Sequence, residues 1–133
     1  MIVVIGGSGR KAGKTTLVEM LIRALPEARW LAVKISGHAH GVDGWTIDRE
    51  ETPDPGTDTG RFLAAGACEA WWLRAEPGHL ADAVPRLRAV MADFRNVVIE
   101  SSSITEFIQP DLYLFVAGAE KRGTDECVPS RTT

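Results

Sequence analysis

The run Ser8-Gly9-Arg10-Lys11-Ala12-Gly13-Lys14-Thr15-Thr16 follows directly on the apolar stretch Ile2-Val3-Val4-Ile5 and combines the residue types that phosphate chemistry needs. Small residues let successive backbone N–H groups turn inward around phosphate oxygens, and a helix beginning behind them adds the positive end of its dipole. In such a P-loop Lys14 reaches the β- and γ-phosphates of a nucleoside triphosphate, and Thr15 offers its hydroxyl to Mg²⁺. The expected phosphate-binding set is therefore Ser8, Gly9, Arg10, Lys11, Ala12, Gly13, Lys14, Thr15 and Thr16. Arg10 or Lys11 would add charge or simply be solvated. The usual pattern has Gly at both ends of a four-residue gap, whereas here Ser8, between Gly7 and Gly9, stands first. A Gly-rich strand-to-helix turn carrying an ordinary surface lysine is the competing reading.

Further acids and imidazoles extend the candidate site. Val97-Val98-Ile99-Glu100 reads as an apolar strand ending in an acid. The carboxyl ends of strands in an open parallel sheet converge on the ligand crevice, so Glu100 is expected on the same rim as the P-loop, with Ser101, Ser102 and Ser103 beside it. Lys14 and Glu100 are the catalytic candidates; Thr15, Glu100 and Asp48 are the candidates for holding Mg²⁺. Asp58 either approaches the cation through water or caps a helix. His38 and His40, with Asp43 and Asp48 near, could suit Zn²⁺ or Ni²⁺, although a nucleotide-facing switch loop is the better reading of them. Cys68 and Cys127 match no metal-ligand spacing and are expected as reduced thiols.

Hydrophobic periodicity supplies the elements that position these groups. Leu17, Met20, Leu21 and Ala24 line one helix face that ends near Pro26, and Trp30 to Ile35 is a second strand, which favours a parallel crossover. Ser36 to Asp58 holds four glycines, two prolines and four aspartates and is expected to be mostly loop. A short helix from Asp58 or Thr59 to about Ala65 precedes a strand from Cys68 to Ala75, whose adjacent Trp71 and Trp72 point to opposite faces. Leu80 to Phe94 forms a helix with Leu80, Ala83, Val84, Leu87, Met91 and Phe94 on one side, kinked or restarted at Pro85. Val97–Glu100 and Leu112–Val116 complete a five-stranded sheet. The expected fold is α/β, a P-loop NTPase three-layer sandwich with a mainly parallel sheet. Residues 1–117 form one nucleotide-binding domain, and 118–133 form a mobile tail.

Composition narrows the partners. A net charge of −3 without a basic run argues against a nucleic-acid surface. Met1 leads straight into the first strand and no apolar run is long enough to span a bilayer, so no membrane contact and a cytoplasmic location are expected.

Gly-Lys-Thr-Thr at 13–16, Val33-Lys34 with two histidines nearby, Ile47-Asp48, Asp58-Thr59, Ala65-Gly66-Ala67 and the strand ending in Glu100 occur in the order seen in MobB-type proteins. Over roughly residues 2–117 the chain resembles these GTP-binding adaptors of molybdopterin-guanine dinucleotide biosynthesis. The resemblance implies GTP with Mg²⁺ as ligand, weak hydrolysis, a homodimer, and a molybdenum cofactor biosynthesis enzyme as partner. Where that family has Glu-Gly-Phe-Lys, this chain has Glu100-Ser101-Ser102-Ser103. Glu100-Ser101 followed by Pro110-Asp111 is also similar to the urease and hydrogenase accessory GTPases. GTP and ATP both remain open, because the sequence carries no Asn-Lys-x-Asp guanine-reading motif. Two classes of function stand: an NTPase, and a metallochaperone-type or non-catalytic nucleotide- and metal-binding module.

Overall fold

Alternation along each strand decides which helix its side chains meet. The computed structural model describes residues 1–8 and 13–117. The expected contributions of Gly9, Arg10, Lys11 and Ala12, and the tail 118–133, lie outside the described residues. The elements run β1 (Ile2–Gly7), α1 (Lys14–Ala24), β2 (Leu31–Ser36), β3 (Trp45–Arg49), α2 (Asp58–Ala65), β4 (Glu69–Ala75), α3 (Leu80–Met91), β5 (Val97–Glu100) and β6 (Leu112–Val116). They build one six-stranded sheet in the order β3-β4-β2-β5-β1-β6. Five strands are parallel, and β3 alone runs antiparallel, against β4.

Helices cover both faces. Val4, Leu31, Val33, Leu73 and Ile99 meet α3 through Leu80, Ala83, Leu87, Val90 and Met91. On the opposite face Val3, Ile5, Ala32, Ala70 and Val98 meet Val18 and Ile22 of α1 and Phe62 of α2. Each fully buried leucine of this kind contributes about 1.5–3 kcal/mol through removal from water. The six apolar positions expected along α3 all join its core, although the α-helix itself ends at Met91. Pro85 sits within the continuous helix on its exposed side.

Two expectations are corrected. The sheet has six strands, because Trp45–Arg49, inside the expected loop, forms β3. Trp45 and Ile47 pack on the α3 core at period two, a signal hidden by the flanking Gly41 and Gly44, both at positive φ. The buried face of α1 is turned by about one position, with Val18 and Ile22 fully buried and Met20 59% exposed. Trp71 and Trp72 do point to opposite faces: Trp71 is partly buried on the α3 core, and Trp72 is 36% exposed. Its indole N–H donates to Ser36 Oγ at 3.0 Å and its ring lies under the Arg74 guanidinium.

Candidate functional site

Two glycines shape the turn at the end of β1. Gly13 is the N-cap of α1 at φ 88°, a left-handed conformation that a side chain would strain. At Gly7 a Cβ would come within 2.9 Å of the Val116 carbonyl and 3.0 Å of the Lys14 side chain, so its absence lets Lys14 lie across the strand end. Ser8 N–H donates to the Val116 carbonyl at 3.2 Å, which ties the start of the turn to β6. The first turn of α1 has no acidic residue, and no side chain among the described residues caps it. Its backbone N–H groups therefore present a positive dipole end to the space above the sheet.

Thr15 and Glu100 meet across that space. Because β5 lies between β1 and β2, Glu100 ends the strand directly beside the turn. Its Oε1 accepts the Thr15 hydroxyl proton at 2.8 Å and its Oε2 accepts from Lys34 Nζ at 3.0 Å. Glu100 is only 3% exposed, a burial that a carboxylate tolerates when its charge is paired. Lys34 projects from the neighbouring β2, in register with Glu100, and also reaches Asp58 Oδ2 at 2.8 Å. Burial works to lower the Lys34 pKa, but attraction to Glu100 and hydrogen bonds to Asp58 and Glu100 outweigh it and raise the pKa above its ordinary value.

Asp58 opens α2 without capping it. The N-cap is Thr57, whose hydroxyl accepts from Gly60 N–H at 3.0 Å, leaving the Asp58 carboxylate for Lys34. Arg61, one turn on, donates two hydrogen bonds to Glu19 of α1 at 2.7 and 2.9 Å and lies 3.4 Å from Thr16 Oγ1. The hydrogen bond to Glu19 is the main cause of its raised pKa. This bidentate pair ties α2 to α1 beside the site.

A cavity of about 1150 Å³ opens over these groups, running from Gly13, Lys14, Thr15 and Thr16 past Lys34, Asp58, Arg61 and Glu100 to His38 and His40. It is larger than most small-molecule pockets, which hold roughly 300–1,000 Å³. Ser102 lines it, with Lys14 Nζ 3.5 Å away, whereas Ser101 is buried and accepts the N–H groups of Ser103 and Ile104. The structure thus gathers Gly13, Lys14, Thr15, Thr16 and Glu100 in one cavity.

Asp48 is not among them. It sits on edge strand β3 with its side chain 67% exposed and its carboxylate 3.6 Å from Arg74. The loop expected to carry it toward a cation is a strand that holds it away. Sequence reading gave no role to Lys34 or Arg61. A lone lysine inside the apolar run of β2 was the available signal for the first; nothing in the pattern marks the second.

Among the described residues no three His, Cys, Asp or Glu side chains converge on a metal-sized position. The donors that do converge, one hydroxyl and one carboxylate beside an open cavity, suit Mg²⁺ completed by water and phosphate oxygens. No helix among the described residues is long and apolar enough to cross a membrane. Compared with protein-family models, curated proteins and solved structures, the chain matches none.

Proposed function

We propose that this protein binds a nucleoside triphosphate with Mg²⁺ in the cavity above β1 and β5, in the manner of a P-loop NTPase. The observation that carries the reading is the Thr15–Glu100 pair: a hydroxyl at the start of α1 and a buried carboxylate at the end of the adjacent strand, 2.8 Å apart. Lys14 and the open N–H groups of α1 supply the anion-binding half, with Ser8, Gly9, Arg10, Lys11, Ala12, Gly13 and Thr16 completing the loop. Thr15 and Glu100 would hold the cation, which when bound screens the phosphates and stabilises charge developing at the leaving oxygen. Hydrolysis is attack of water on the γ-phosphorus with cleavage of its bond to the bridging oxygen, releasing diphosphate nucleotide and inorganic phosphate. Lys14 neutralises the charge that moves onto that bridge, and Glu100 orients the groups around it. Turnover is slow without a partner.

The resemblance to the MobB adaptors supports GTP over ATP, a cytoplasmic location, a molybdenum cofactor biosynthesis enzyme as partner, and a homodimer. Tyr113 and Phe115, 44% and 59% exposed on edge strand β6, offer apolar surface for the dimer. Light scattering at 14.4 kDa across concentrations would refute that part.

Calorimetry with GTP, ATP and their diphosphates, with and without Mg²⁺, tests the central reading. Triphosphate should bind in an Mg²⁺-dependent manner. Lys14→Ala should weaken it about a hundredfold, since a charge-assisted phosphate contact is lost. Unchanged affinity in folded Lys14→Ala overturns the assignment.

A further inference from the structure

Lys34 is the only charged residue of β2, and its ammonium bridges the two acids that face the cavity, at 2.8 Å from Asp58 and 3.0 Å from Glu100. The other oxygen of Glu100 is engaged by Thr15. A divalent cation directed at the Thr15–Glu100 pair therefore meets a carboxylate already matched by a fixed positive charge, and like charges a few ångströms apart repel strongly in a half-buried setting. The Lys34 side chain is 23% exposed and lines the cavity, so its four-carbon stem can carry the ammonium outward without moving the strand. What would draw it off is a second anion in the same cavity, and the terminal phosphate of a triphosphate is one that a diphosphate lacks.

We propose that Lys34 is the specificity-determining residue of this site: its ammonium guards the Thr15–Glu100 pair, and cation entry requires that a terminal phosphate take the ammonium over. The inference rests on the reading of the cavity as an Mg²⁺–triphosphate site. It assigns Lys34 two linked effects. Bare metal is excluded, and triphosphate is distinguished from diphosphate. Both follow from one charge, so both should disappear together when that charge is removed.

The test uses Mn²⁺ alone, titrated into the full chain and followed by the electron paramagnetic resonance signal of the free ion. Lys34→Met should bind Mn²⁺ without nucleotide at least about tenfold more tightly than the parent, the scale expected when one nearby like charge is removed. Lys34→Arg should behave as the parent, and Lys34→Met combined with Glu100→Gln should lose the gain. In parallel, the preference for a non-hydrolysable GTP analogue over GDP in the presence of Mn²⁺ should shrink in Lys34→Met. Lys34→Gln, which offers the carboxylates a neutral N–H donor in place of the charge, serves if Lys34→Met does not fold.

Equal Mn²⁺ affinity in the parent and both neutral variants overturns the inference. If the parent binds Mn²⁺–triphosphate and the variants gain no bare-metal binding, the guard falls and the proposed function stands. If no triphosphate binds the parent yet the neutral variants gain Mn²⁺, the function falls and exclusion of metal by Lys34 stands.

Discussion

The two faces of the sheet divide the labour. Against α3, β2 presents Leu31, Val33 and Ile35 and β5 presents Val97 and Ile99, apolar along their whole length. Against α1 and α2 the same strands present Ala32, Lys34 and Ser36, and Val98 and Glu100, apolar where they enter and polar where they leave. One face is closed by hydrocarbon and holds the fold. The other is left open at its carboxyl end and carries charge in a half-buried setting. A one-residue step along a strand, from Val33 to Lys34 or from Ile99 to Glu100, separates packing from chemistry, because the pleat sends neighbours to opposite sides.

That division can be broken from either side. The largest effect is expected from Leu87→Ala, which empties a fully buried position under the closed face. It should cost about 2–5 kcal/mol in denaturant unfolding, as large-to-small core changes do, while triphosphate affinity of the folded fraction stays unchanged. A change in affinity as large as the change in stability would show that the faces are not independent. Glu100→Gln probes the open face. The isosteric amide should keep nucleotide affinity within a few-fold but lower single-turnover hydrolysis about a hundredfold, the scale of losing one group aligned with the transition state. Hydrolysis equal to the parent's would reduce Glu100 to a strand-end partner of Lys34.

A smaller, pH-dependent effect sharpens the comparison. The Lys34 pKa is raised in the folded protein, so its ion pairs stabilise the fold fully below the unfolded value of about 10.4, and that contribution is lost as pH rises through the higher folded value. Melting curves of the parent and Lys34→Met should converge at strongly alkaline pH. A gap that persists unchanged there would assign the difference to packing of the lysine stem.

Most of the frame was legible because its cause is local. Val97-Val98-Ile99 and Leu112–Val116 are continuous apolar runs, and the α3 stripe has a clear helical period, so these elements follow from pattern alone. Trp45–Arg49 escaped because five residues of alternation carry little weight between glycine-rich turns, and only pairing with Glu69–Ala75 makes them a strand. For that same reason the pattern did not place Asp48 on an edge strand outside the cavity. Lys14, Thr15 and Glu100 were legible from motif and topology together. The bridging role of Lys34 was not, since it depends on which strand lies between which, and adjacency across a sheet is a tertiary fact. Thr57 displaced Asp58 as the helix cap through a one-residue difference in where α2 begins, which no propensity resolves.

The position of β5 has a consequence for how the chain becomes competent. β1 and β2 are joined by α1 yet are not neighbours; the slot between them is filled by a strand made some sixty residues later. Thr15 meets Glu100 across 85 residues and Lys34 meets it across 66, so a chain lacking β5 has Thr15 and Lys34 but not the acid they bond. Insertion of a central parallel strand is a non-local and therefore slow event. The Thr15–Glu100–Lys34 cluster exists only in chains that hold β5 in place, and under the proposed function a ligand bound there draws the folding equilibrium toward such chains.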